Sequence, residues 1–179
     1  MKPRGPLMIE HRLIEKMIAV IKDQMSVMRE KKSVDPVFID AAVDFIRIYA
    51  DKTHHGKEED ILFRDLAAKN MSAEDKRGMQ ELVDEHVFAR KKVAELVQAK
   101  EDYVAGRKEA LDIVLDRLKT LVEFYPEHIR REDEGFFPDT ERYFTKPELD
   151  AMLVEFWEFD KKMIHEKYKA VVEQWKQKI

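Results

Sequence analysis

Two histidine–glutamate motifs occur in the sequence, and the second repeats the layout of the first. The first runs from His54 to Phe63 and the second from His128 to Phe137, and each has a histidine, a glutamate four positions later and then a large apolar pair. A histidine and a glutamate with this spacing lie on one face of a helix, where they can share one metal ion or bridge two. Imidazole nitrogen combined with carboxylate oxygen suits iron, manganese or zinc, and does not suit calcium, which prefers oxygen alone.

Two further histidines extend the repeat. Glu10-His11 in the first half of the chain recurs as Glu85-His86 in the second, and each histidine interrupts an otherwise apolar helical stripe. The separation from this histidine to the next motif is almost the same in both halves. Burying so many polar groups without partners would cost several kcal/mol each, whereas one metal centre satisfies them together. We therefore predict a metal site whose candidate ligands include His11, His54, Glu58, His86, His128 and Glu132.

The first motif leaves its ligands open, because it contains two pairs at the same spacing. The repeat selects His54 and Glu58, but an apolar stripe before the motif is in phase with His55 and Glu59 instead. That stripe consists of Phe38, Ala41, Phe45 and Ile48. At about 100° per residue, His54, His55 and Glu58 fan across one helix face. We predict that all three contribute, with a π-bulge near residues 51–53 absorbing the phase conflict, and keep Glu59 as a further candidate.

These motifs must be positioned by helices, since apolar residues recur at helical spacing in five segments and no strand-like alternation of useful length occurs. Two hairpins built to the same plan predict an all-α fold, an antiparallel up-down four-helix bundle with near two-fold symmetry. We expect a single domain over residues 1–179, with the bundle core at 7–142 and an additional C-terminal helix at 146–177. Aromatic residues of that last helix are expected to close the core. It also carries His165, a further candidate ligand.

Composition excludes several other functions. The chain has no cysteine, so disulfides, iron–sulfur clusters and thiol catalysis are ruled out. A net charge of −4 gives no basic footprint for nucleic acid. No stretch resembles a signal peptide or a membrane span. We therefore expect a soluble, cytoplasmic protein without nucleic-acid or membrane partners.

Taken together, these motifs resemble the hemerythrin-like HHE cation-binding family, from His11 to the Glu132 motif and over roughly residues 7–142. The resemblance implies a four-helix bundle around a non-haem di-iron centre, bridged by carboxylates and by an oxo or hydroxo group. It also implies binding of O₂ or a related small ligand. His11, His54, His86 and His128 would then be terminal ligands, and Glu58 and Glu132 bridging carboxylates.

One position departs from the family's oxygen carriers, which have a second histidine one turn after the histidine of the third helix. This chain has Arg90 there. If His55 supplies the missing nitrogen, the set becomes five histidines and two carboxylates, as in the carriers. If it does not, simple reversible carriage of O₂ is put in doubt.

Three functional hypotheses remain at this stage. The first is a di-iron protein that binds or senses O₂, NO, peroxide or iron, and the resemblance favours it over an enzyme. The second is an enzyme that reduces peroxide, O₂ or NO, or acts as a ferroxidase, and this would require a redox partner. The third is a structural or interaction bundle whose polar cluster holds no metal. Iron rests on the resemblance, since the ligand chemistry alone also permits manganese or zinc.

Overall fold

Five helical rods make up the part of the chain that the computed structural model describes, which is residues 2–107 and 109–176, with the side chains of 164–166 and 168–176 left aside. The first rod is α1, Arg4–Lys31. The second comprises α2 (Pro36–Phe45), the π-helices π1 (Ile46–His55) and π2 (Glu58–Phe63), and α3 (Arg64–Ala67). The third is α4, Ala73–Val104. The fourth comprises α5 (Ala110–Arg131), the π-helix π3 (Glu132–Phe136) and α6 (Phe137–Thr140), and the fifth is α7, Lys146–Lys176.

Short polar signals in the sequence begin and end these rods. The Asp35 carboxylate accepts hydrogen bonds from the backbone N–H groups of Val37 and Phe38 at 3.0 and 3.1 Å, which caps α2. The Ser72 hydroxyl oxygen accepts from the N–H of Asp75 at 3.0 Å and caps α4. Each such cap contributes about 1 kcal/mol. After α4, Gly106 adopts a φ of +83°, which favours glycine and turns the chain towards α5.

Two apolar clusters fill the interior and show how the rods run. The larger cluster contains the C-terminal part of α1, the N-terminal part of the second rod, the C-terminal half of α4 and most of α5, from Val114 to Ile129. The smaller cluster contains the opposite end of each of these rods. The first four rods therefore alternate in direction. This confirms the predicted all-α, up-down four-helix bundle with an additional C-terminal helix, and no strand occurs in the described residues.

A polar layer separates the two clusters. Along α1, Leu7 belongs to the smaller cluster and Ile14 to the larger one, with His11 buried between them. Each of the other three rods likewise has buried histidine or glutamate side chains between a part that belongs to the smaller cluster and a part that belongs to the larger one. A buried polar group is costly unless something satisfies it, so this layer is the part of the interior that calls for a bound partner.

The apolar stripe predicted before the first motif was wrong. Ala41 is exposed and Phe38, Phe45 and Ile48 are only half-buried. The residues that face the bundle are Ile39, Ala42, Val43, Ile46 and Ala50. Phe38 and Phe45 pack against the edge of the larger cluster, and Phe45 and Ile48 also line a cavity together with residues of α7, which contacts π1. The stripe therefore lies beside the face that points into the bundle core.

The fifth rod covers one side of the smaller cluster. Met152 and Phe156 of α7 are fully buried there, and Phe159 packs against it. Trp157, which was expected to close the core with them, is 56% exposed. The side chains of Tyr168 and Trp175 lie outside the described residues. None of the described helices combines the length and the apolar character needed to cross a bilayer.

Gly56 lies where α7 crosses the second rod. A Cβ atom at this position would stand 2.7 Å from Cζ of Phe159, whereas a Cβ at Gly135 would meet no described atom within 4 Å. Overpacking of this kind costs about 1–3 kcal/mol. We therefore expect Gly56→Ala to be less stable than the matched variant Gly135→Ala by about that amount in urea denaturation. Equal stabilities would contradict a tight α7 contact.

Candidate metal centre

Seven histidine and glutamate side chains from all four rods of the bundle meet in the polar layer, and each is at most 2% exposed. They form two groups, and within each group one potential ligand atom per residue lies within 4.8 Å of the others. One group consists of His55, His86 and His128. The second group consists of His11, His54, Glu58 and Glu132.

The two glutamates connect these groups. One carboxylate oxygen of Glu58 lies 3.3 Å from Nε2 of His54, and its other oxygen lies 3.4 Å from Nε2 of His86. Glu132 does the same from the opposite side of the bundle, with one oxygen 3.2 Å from Nε2 of His11 and the other 3.5 Å from Nε2 of His128. Each carboxylate therefore has one oxygen directed to each group, which is the arrangement of a bridging ligand.

The backbone of the first motif brings both of its histidines to the polar layer. The chain is π-helical from Ile46 to His55, so the predicted irregularity near residues 51–53 is confirmed and extends further than expected. The Thr53 hydroxyl donates to the carbonyl of Ile48 at 2.7 Å, in keeping with the wider turn. With this turn, His54 and His55 both reach the polar layer. The structure places His54 beside His11, and His55 beside His86 and His128.

Every histidine of the site has a carboxylate at its outer nitrogen, Nδ1. The distances are 2.7 Å for His11 to Asp133, 2.9 Å for His54 to Glu10, 3.3 Å for His55 to Asp51, 2.7 Å for His86 to Glu59 and 2.7 Å for His128 to Glu85. A carboxylate on the outer nitrogen fixes the tautomer and the ring orientation of a metal-ligating histidine, and makes it a stronger ligand. All five rings therefore direct Nε2 inwards.

The inward-facing atoms have no hydrogen-bond partner among the described residues. They are Nε2 of four histidines and all four carboxylate oxygens of Glu58 and Glu132, the histidines being His11, His54, His86 and His128. Buried polar groups in proteins are almost always satisfied, so eight such atoms without a partner in one layer form an arrangement that a bound cation would satisfy. Nitrogen and oxygen donors in this mixture fit iron, manganese or zinc. The residues present therefore fit a metal centre.

Electrostatics separate His54 and His86 from His55. Burial lowers the pKa of the His54 ring, but this is outweighed by Glu58 and Glu10, which raise the pKa to about 10. For His86, Glu132 and Glu59 likewise outweigh burial and raise the pKa to about 9. His55 has no such compensation, because burial and the neighbouring His86 and His128 all lower its pKa. His55 is therefore neutral at pH 7, whereas His54 and His86 must release protons when a cation binds.

The remaining candidates lie elsewhere. Glu59 belongs to neither group, since its oxygen contacts the outer nitrogen of His86 and also accepts from Arg90 at 2.8 Å. Arg90 bonds Asp51 as well, at 2.8 Å, and so links the carboxylates that support His55 and His86. His165 has its backbone in α7, but its side chain lies outside the described residues.

The supporting carboxylates were not identified from the sequence, although a signal for them existed. Glu10 corresponds to Glu85 in the two halves of the chain, and Glu59 corresponds to Asp133, so they follow the same repeat as the ligand candidates. Asp51 follows no such rule, because its repeat position is Tyr125.

A cavity of about 110 Å³ borders the site. It is lined by His55, Asp51, Arg90 and Tyr125 together with apolar residues of π1 and α4. Tyr125 is fully buried, and its hydroxyl has no hydrogen-bond partner in the part of the chain described. A cavity of this size holds a few waters or one small molecule.

Comparison with known proteins places the chain in one family. The family described as hemerythrin HHE cation binding domain has a model that matches residues 6–140, which is most of the chain. Searches of curated proteins and of solved structures found no match.

Proposed function

The chain belongs to the hemerythrin HHE cation-binding family, and from this premise we propose that it is a non-haem di-iron protein that binds or senses O₂, NO, peroxide or iron itself. The observation that carries the proposal is the pair of buried ligand groups joined by Glu58 and Glu132. Each of these two carboxylates has one oxygen directed to each ligand group, and this arrangement fits two neighbouring ions better than one. The cofactor of the proposal is therefore a pair of iron ions rather than a single cation.

The residues have distinct roles in this proposal. His55, His86 and His128 would hold one ion, and His11 and His54 the other, with Glu58 and Glu132 shared. When bound, a di-iron pair supplies an electron-rich site for small oxygen-containing ligands. The carboxylates on the outer nitrogens keep each Nδ1–H in place, so that Nε2 stays free to ligate. The apolar clusters above and below exclude bulk water, which strengthens the electrostatic interactions inside.

Ligand count favours binding over turnover. With His55 in the set, the site has five histidines and two carboxylates, which is the nitrogen count that the resemblance gives for oxygen carriers. The cavity beside His55 has room only for a small molecule, in keeping with a ligand of the size of O₂, NO or peroxide. The metal-silent alternative leaves eight buried polar atoms without a partner among the described residues. The enzyme alternative differs from the proposal in needing an electron donor.

Metal analysis and optical spectra test the proposal together. Protein purified without a histidine tag and loaded with iron under anaerobic conditions is expected to contain about two irons per chain. Exposure to O₂ is expected to produce a visible absorption band that disappears when O₂ is removed, and zinc-loaded protein serves as the colourless control. Oxidation with repeated turnover would favour the enzyme instead. Less than about one metal per chain would rule out a di-iron site.

A further inference from the structure

The carboxylates that support two of the histidines are themselves bonded by a positively charged side chain, one in each half of the bundle. Glu10, which holds His54, is bonded by the ammonium of Lys57. Glu85, which holds His128, is bonded by the guanidinium of Arg131. Lys57 and Arg131 occupy equivalent positions of the two motifs and so belong to the same internal repeat. Two equivalent series of contacts therefore run outwards from the site, one from His54 and one from His128.

The two series of contacts differ in the outermost partner of the charged side chain. Arg131 has a side chain that is 34% exposed, and its second carboxylate partner is the exposed Glu81 of α4, at 2.7 Å. Lys57 is completely buried, and its second partner is Asp160 of α7, at 2.7 Å. The contacts that support His128 thus end within the bundle at a partly exposed arginine, whereas those that support His54 end on the additional helix.

The contact between α7 and Lys57 is close. Phe156 of α7 is fully buried and its ring centroid lies 5.9 Å from the Lys57 ammonium. Next to it, Phe159 packs against Gly56, which leaves no room for a Cβ atom. A second ion pair of α7, between Glu155 and Arg64 at 2.7 Å, is exposed to solvent. Asp160 is therefore the carboxylate by which the described part of α7 reaches the supports of the metal site.

A buried ammonium needs more than one partner. Lys57 has three N–H donors and no access to water, so two carboxylates are needed to offset the desolvation of its charge. Glu10 is shared, because one of its oxygens bonds Lys57 and the other lies 2.9 Å from Nδ1 of His54. If the charge of Asp160 is removed, Lys57 keeps Glu10 as its one carboxylate and must shift, which changes the position of Glu10 relative to His54.

We infer that α7, through Asp160 and Lys57, positions His54, and that retention of the ion on the His11–His54 side depends on the docking of α7. The ion on the side of His55, His86 and His128 has no such dependence, because its described supports lie within the bundle. This inference rests on the proposed two-metal function. It makes Lys57 and Asp160 positioning residues, and it assigns to the additional helix a role in the lability of one ion.

The test compares metal release from wild type and Asp160→Asn. Metal transfer to a coloured chelator is expected to show two kinetic phases in wild type. Loss of a partner that contacts a metal ligand directly weakens metal binding by roughly 10–100-fold. Asp160 acts through Lys57 and Glu10, so we expect Asp160→Asn to accelerate one phase by about the lower end of that range and leave the other unchanged. Asp160→Glu, which keeps the charge, is expected to restore slow release. Because the Asp160 side chain is 40% exposed, the variants keep the fold, which circular dichroism verifies.

Two matched controls separate this role from general loosening. Glu155→Gln removes the exposed ion pair of the same helix, and Glu81→Gln removes the equivalent second partner of Arg131. Both are expected to release metal as wild type does. Equal acceleration of both phases in Asp160→Asn, or acceleration by Glu155→Gln, would overturn the inference. Two ions in wild type with unchanged release in Asp160→Asn would overturn this inference alone, whereas wild type without metal would overturn the proposed function on which it rests.

Discussion

Removing the bound metal with a chelator is expected to lower the thermal unfolding midpoint by roughly 8–16 °C. A ligand present at a thousand times its dissociation constant stabilises the folded state by about 4 kcal/mol. For a chain of this length, 1 kcal/mol corresponds to about 2–4 °C. The effect would be large because the two proposed ions would satisfy eight buried atoms that have no partner within the described part of the protein. Calorimetry before and after chelation measures the shift.

A double variant provides the control for this prediction. Glu58→Gln combined with Glu132→Gln removes both carboxylates that connect the two groups but keeps their size. This variant is expected to bind little metal and to melt at the same temperature with and without chelator. Glu134→Gln, at an exposed neighbouring position, is expected to behave as wild type. A chelator-insensitive wild type would show that the buried layer is satisfied without a cation.

Replacing His55 with alanine is expected to reduce the metal content from about two ions per chain to about one. In the structure this ring completes the group with His86 and His128, and its low pKa leaves it neutral and ready to ligate. The ion held between His11 and His54 keeps both of its histidines and both carboxylates. Elemental analysis of protein reconstituted with iron measures the change, and the optical band after exposure to O₂ is expected to disappear with the lost ion.

The internal repeat provides a matched control for the cavity that this substitution creates. Ile129 occupies the position in the second motif that His55 occupies in the first, and both side chains are 2% exposed. Ile129→Ala therefore removes a buried side chain from the equivalent place and costs about 2–5 kcal/mol of stability. It should nevertheless keep both ions. If His55→Ala keeps both ions as well, His55 is not a ligand, and the site has the lower nitrogen count that put reversible O₂ carriage in doubt.

The sequence identified the inward-facing positions correctly in helices that bury only one face. In α1, a single apolar stripe interrupted by His11 was sufficient, because that rod buries one face only. In the second rod the same reasoning selected the wrong stripe. Phe45 and Ile48 are only half-buried and line a cavity together with residues of α7, and a single sequence does not reveal which neighbours an apolar residue will have. The half-buried stripe was therefore a poor guide to which histidine of the motif faces the core.

Lys57 illustrates a second limit of the sequence. A lysine in a highly charged motif is usually exposed to solvent, and nothing local distinguishes this one. It is completely buried because Glu10 of α1 and Asp160 of α7 approach it, and both are distant from it in the sequence. Arg131, at the equivalent position of the repeat, is paired instead with two glutamates of α4 and stays partly exposed. Burial of the Lys57 charge is therefore a consequence of where the additional helix docks.

By itself, the sequence determined the fold class, the two-hairpin repeat and most of the residues that meet in the polar layer. Those features depend on helical periodicity and on spacing along one chain, both of which are local or repeated. Only the tertiary structure decided that His54 and His55 reach different groups, because this requires the π-helical turn of Ile46–His55 between the packed neighbours α1, α4 and α7. It also decided which carboxylate supports each ring. Most of those pairings join residues on different rods, and their distances exist only once the rods have packed.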